Sequence, residues 1–103
     1  MQKLSRMTPA TLDVLATLLA EGDSTWGLRI VALTERPAGS VYPILERLER
    51  AAWVESEWEE NPERSGPRRR FYRLTPDGAE AARAAVNRAL APRPTLRPKA
   101  AGA

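Results

Sequence analysis

Four arginines surround one turn. Arg64 precedes Ser65-Gly66-Pro67, and Arg68, Arg69 and Arg70 follow it at once. A guanidinium is a permanent cation with a planar fork of donors, suited to phosphate oxygens and to the edge of guanine. Upstream, Ser40 and Tyr42 offer hydroxyls and Arg47 another guanidinium; such groups position a protein on a phosphate backbone and also touch base edges. Carboxylates are present, but no Gly-rich phosphate loop or metal-ligand cluster accompanies them, and the chain has no histidine and no cysteine. Disulfides, thiolate nucleophiles, His-based triads and zinc sites of the usual nitrogen and sulfur kind are thereby excluded. These residues hold anions rather than catalyse, and we expect no enzyme, no metal and no cofactor.

Charge is segregated along the chain. The net charge over 103 residues is only +3. Yet residues 53–67 carry five glutamates against one arginine, and residues 68–74 carry four arginines and no acid. Residues 92–103 add three more basic residues and no acid. A basic face of this kind is the usual footprint of a nucleic-acid binder, set against the plainer reading of a solvated surface with cross-strand ion pairs. No apolar run approaches the roughly 18 residues that a membrane span requires. The N-terminus lacks the basic, apolar and small-residue segments of a secretory leader. The expectation is a cytoplasmic protein with no membrane contact.

The elements that must hold these residues can be read from spacing. Residues 1–7 show no pattern. Thr8-Pro9 reads as a helix cap with proline in the first turn. Leu12, Val14, Leu15, Leu18 and Leu19 then recur at helical spacing until Gly22. Asp23-Ser24-Thr25 offers new caps for a second helix, with Trp26, Ile30 and Leu33 on one face, broken by Arg36-Pro37-Ala38-Gly39. A third helix is expected from Ser40 to Ala51, with Val41, Ile44, Leu45 and Leu48 on one side and Pro43 in its first turn. From Trp53 to Glu59 the period changes to two. Val54, Ser56 and Trp58 share one face, and Glu55, Glu57 and Glu59 the other. A turn-rich stretch leads to a second strand over residues 69–74. Thr75-Pro76 repeats the cap signal, opening a last helix to about Leu90. Prolines from Pro92 onward end it, and residues 92–103 are expected to be a disordered basic tail. The expected domain is therefore 1–91.

The fold class is mainly α with a hairpin, α+β, in the order α-α-α-β-β-α. Three short helices followed by a two-stranded hairpin make the winged helix-turn-helix plan. In that plan the third helix presents its N-terminal residues, Ser40, Val41 and Tyr42, with Arg47 a turn further on. The hairpin is the wing. Strand alternation sends Arg69 one way and Arg68 and Arg70 the other. One set can offset the glutamates; the other, with Arg64 at the tip, can reach phosphates. Trp53, Trp58, Phe71 and Tyr72 could form a stacking platform for single strands, but packing beneath the wing is the reading adopted. Leu12, Leu15 and Leu19 with Ala79, Ala82, Val86 and Leu90 form stripes that a second copy of the chain could cover.

The stretches "GSVYPILERLERAAWVESEWE" and "GPRRRFYRLTPDG" resemble the PadR family of bacterial transcriptional regulators. "LDVLATLLAEGDSTWGLRI" resembles that family's first two helices, with Trp26-Gly27 where a Tyr-Gly pair is common. The resemblance covers about residues 8–90. It implies a homodimeric winged-helix repressor of double-stranded DNA, with Ser40, Tyr42 and Arg47 at the duplex and the wing arginines alongside. It further implies dimer contacts from the first and last helices and the release of DNA by a small-molecule effector. The chain departs from the pattern at Ala52, where glycine is usual. It also carries one C-terminal helix where larger members add a helical domain, so the short form of the family is expected. The competing expectation is a winged-helix module for protein contact, such as an anti-repressor, for which the acidic strand is the best support.

Overall fold

The computed structural model describes residues 1–4, 6–60 and 63–91. The expected tail therefore lies outside the described residues. Helix α1 spans Pro9–Glu21: the Thr8 side chain accepts from the Thr11 N–H at 3.1 Å, and Gly22, at φ 78°, ends the helix. Strand β1, Thr25–Trp26, leads directly into α2, Gly27–Thr34. Helix α3 covers Ala38–Arg50, strands β2 and β3 cover Val54–Trp58 and Arg70–Leu74, and α4 covers Pro76–Leu90. The sheet is antiparallel in the order β1-β3-β2.

The winged helix-turn-helix plan holds, with one strand more than expected. Thr25 and Trp26 pair with Tyr72 and Phe71 of β3, so Thr25 is a strand residue rather than a cap and Trp26 stands just before α2 rather than on its face. That helix starts without a side-chain cap, and Leu33 is exposed rather than on its inner face. Between α2 and α3 the chain turns through Glu35, which is left-handed at φ 57°. Helix α3 then begins at Ala38, two residues earlier than the expected Ser40, with Pro37 just before it and no side-chain cap, and Pro43 falls inside the helix.

Val14, Leu15 and Leu18 of α1 meet Ile30 of α2, Val41, Ile44, Leu45 and Leu48 of α3, and Val54, Tyr72 and Ala82 in one core. At 100° per residue, the four α3 positions form one stripe, so packing fixes the helix's rotation. The α3–β2 junction turns at Ala52, whose φ of 66° explains why glycine suits that place. Gly78, in the first turn of α4, lies so close to the Trp53 carbonyl that a side chain has no room there.

Leu15 and Ala82 are fully buried inside this core, a correction to their expected place in a dimer contact. Helices α1 and α4 pack on each other within one chain and consume that part of both stripes. Leu12, Leu19, Ala79 and Val86 remain half-buried, and Leu90 is 78% exposed.

Candidate nucleic-acid interface

With Val41, Ile44, Leu45 and Leu48 turned inward, α3 presents the opposite ridge to solvent: Gly39, Pro43, Glu46 and Arg50, all exposed. Val41 is 0% exposed, so its expected role at the interface is corrected: it belongs to the same inward stripe as Ile44 and Leu48. Ser40 is half-buried at the start of the ridge. Tyr42 and Arg47 lie on its two flanks. Tyr42, 38% exposed, lies over Gly27, where an added Cβ would come within 2.7 Å of its Cζ. Arg47 is exposed on the other flank, beside Ile44 and Leu48.

The wing shows where the arginines go. Arg64 is a clasp rather than a free tip cation: it pairs with Glu59, and its Nη2 donates to the Pro67 carbonyl at 2.9 Å. Glu59 also accepts from the Arg69 backbone N–H at 3.2 Å, so one carboxylate ties both sides of the loop together. The expectation that Arg64 reaches outward to phosphate is thus overturned by a nearer acceptor. Arg69 stacks on Trp26 at 4.1 Å from the ring centroid, on the sheet face where Trp26 meets Phe71 edge-on at 6.0 Å. Arg70 goes the other way, over Trp58 at 5.1 Å and 3.6 Å from Glu49 of α3. Arg68 is exposed, and among the described residues it makes no ion pair.

The acidic strand is largely neutralised within the hairpin. Arg73 bonds Glu55 at 3.0 Å and Glu57 at 3.2 Å, and the Glu55 hydrogen bond, joined by Glu57, holds its guanidinium above the ordinary value. Exposed pairs of this kind add little to stability, because water screens them. Their larger effect is on the field, because they remove negative charge beside the free cations. The Arg70–Glu49 contact is longer, at 3.6 Å.

Between α3 and the wing lies a cleft of about 560 Å³. Trp26, Tyr42, Trp58 and Tyr72 supply aromatic walls, and Arg68 and Arg69 stand at its edge. Burial holds the Tyr72 phenol above its ordinary value. No helix of the described residues is long and apolar enough to cross a membrane, and no metal-holding cluster of His, Cys, Asp or Glu occurs among them. Sequence reasoning missed Arg6, which shares a second cleft with Arg47; the unpatterned first residues gave no signal for it.

An exposed third helix flanked by an arginine-bearing hairpin defines a winged helix-turn-helix domain. The chain belongs to the transcriptional regulator PadR-like family, whose profile matches residues 16–84. No curated protein matches it by sequence. Among solved structures, BpsR of Bordetella bronchiseptica, described for the regulation of its DNA binding by 6-hydroxynicotinic acid, is 25% identical, with a TM-score of 0.69. That match covers 82% of this chain and 57% of BpsR, so the chain spans little more than half of that relative. A PadR family transcription regulator from hypervirulent Clostridium difficile is 23% identical, with a TM-score of 0.62, covering 75% of this chain and 84% of that one. A MarR mutant from E. coli, solved with operator DNA, is 21% identical with a TM-score of 0.62, covering 80% of this chain and 54% of that one. The last two matches establish likeness of fold.

Proposed function

We propose that the protein is a cytoplasmic, non-enzymatic transcriptional regulator that binds duplex DNA as a homodimer and represses from a near-palindromic operator. The observation that carries this reading is the pairing of an outward α3 ridge with a wing whose Arg68 has no carboxylate partner among the described residues. Ser40, Tyr42 and Arg47 enter or flank the major groove, and Arg68, Arg69 and Arg70 lie along the backbone beside it. Leu12, Leu19, Ala79, Val86 and Leu90 supply the dimer face. Two such domains place their recognition helices about 34 Å apart, one turn of duplex. A small effector releases the protein from DNA; the regulation of BpsR's DNA binding by 6-hydroxynicotinic acid and the aromatic cleft beside the wing support that part of the reading.

Salt-titrated fluorescence anisotropy on duplexes selected from a random pool tests the proposal. With three phosphates neutralised per protomer, log K against log salt is expected to slope near −5. A slope near zero, or selected sites without dyad symmetry, refutes it. Arg68→Ala removes one contact from each protomer, and should weaken binding across sequences and lower the slope by about two units. The alternative of a protein-contact module draws less support, because Glu55, Glu57 and Glu59 are already paired with arginines.

A further inference from the structure

The first residues are not a loose end. The Gln2 backbone N–H donates to the Ala51 carbonyl at 2.9 Å, and the Gln2 carbonyl accepts from the Trp53 indole N–H at 2.6 Å. Leu4 packs against the core, and Thr8 begins the cap of α1. The segment is therefore pinned at the C-terminal end of α3 and runs back along that helix, which brings Arg6 beside Arg47. Together with Leu4, Thr8, Thr11, Ile44 and Leu48, these two arginines line a cleft of about 330 Å³.

Among the described residues, no acidic side chain lines this cleft. Neither Arg6 nor Arg47 forms an ion pair among the described residues. The contrast with the other side of α3 is sharp. There Glu49 faces Arg70 and Ser56, and most wing arginines already have partners. At 100° per residue, Arg47 lies about 160° around the helix from Glu49, so the two residues stand on opposite flanks of α3. Lys3, exposed on the same segment, adds to the positive side. Two guanidinium forks at the mouth of a polar, acid-free cleft match the oxygens of a single phosphodiester.

We propose that Arg6 and Arg47 form a two-armed clamp on one backbone phosphate of the duplex, on the side of α3 away from the wing. The inference rests on the DNA-binding reading and adds the N-terminal segment to the interface. The wing grips one wall of the groove and the pinned segment grips the other, which fixes how far α3 tilts into it.

The test uses the full chain, a selected operator duplex and a set of duplexes each bearing one neutral methylphosphonate. Arg6→Ala and Arg47→Ala are each expected to weaken binding about tenfold per half-site, and so about a hundredfold for the dimer, as loss of a charged hydrogen bond at each does. The double variant is expected to be little weaker than either single one, because both lose the same contact. One methylphosphonate position that weakens the wild type should cost nothing in either variant. If the duplex binds but Arg6→Ala is unchanged, or the two variants become blind to different positions, the clamp is refuted while the DNA reading stands. If the wild-type chain binds no duplex, both fall together. Inorganic phosphate at constant ionic strength should compete no better than chloride; selective competition that disappears in Arg6→Ala assigns the cleft to a free anion and overturns the clamp.

Discussion

Gly78→Ala tests the junction between the wing and α4. In the native chain the Thr75 hydroxyl donates to the Ala52 carbonyl at 3.0 Å and accepts from the Gly78 N–H at 2.9 Å. The Thr75 N–H donates to the Trp53 carbonyl at 3.0 Å. A Cβ on Gly78 would overlap the Trp53 carbonyl, standing 2.7 Å from its carbon and 2.8 Å from Thr75 Oγ1. These neighbours are backbone and a capping hydroxyl, so neither can swing aside. Overpacking of this kind costs about 1–3 kcal/mol. Loss of the cap adds about 0.5–2 kcal/mol. Alanine's better helix propensity returns up to about 1 kcal/mol. The net expectation is a loss of about 0.5–5 kcal/mol in urea unfolding at fixed protein concentration. Gly39→Ala is the comparator, because nothing lies within 4 Å of a Cβ there; it should be neutral or slightly stabilising. Equal midpoints for the two variants would show that α4 does not seat against the Trp53 carbonyl, and the placement of the wing would have to be reconsidered.

Leu48→Ala removes a fully buried side chain from the α3 stripe and should cost about 2–5 kcal/mol, read as a lower Tm. Ala52→Gly relieves a left-handed alanine at φ 66°. Relief of about 1–2 kcal/mol, less the roughly 0.5–1 kcal/mol entropic cost of glycine, predicts a modest rise in the urea midpoint. The Tyr72 phenol is held above its ordinary value of 10.0 by burial, so its contribution to stability is complete below pH 10 and is lost as pH rises through the folded value. Urea midpoints between pH 8 and 11 should fall on the alkaline side for the wild type and fall less steeply for Tyr72→Phe.

Much of the fold was legible because its longer elements carry strong periods. The leucine spacing of α1, the Val41-Ile44-Leu45-Leu48 stripe and the alternation from Trp53 to Glu59 each specify an element and its inner face. Thr25-Trp26 was misread because a strand of two residues has no period and Asp23-Ser24-Thr25 has the chemistry of caps. The interface was less legible. Val41 was assigned to DNA by its position near the start of α3, although its own stripe already placed it inside. Arg64 and Arg70 differ from Arg68 only by which acceptor lies near in space, and adjacency in sequence does not record that. Arg6 owes its place to the bond between Gln2 and Trp53, 51 residues apart, a pairing that no local pattern announces.

The Arg64–Glu59 clasp has a consequence for kinetics. A flexible flap would have to surrender conformational freedom at every encounter with a partner, and that penalty would slow productive collisions. Here Glu59 joins Arg64 and the Arg69 N–H within the hairpin before any encounter, so that part of the ordering is already done by the fold.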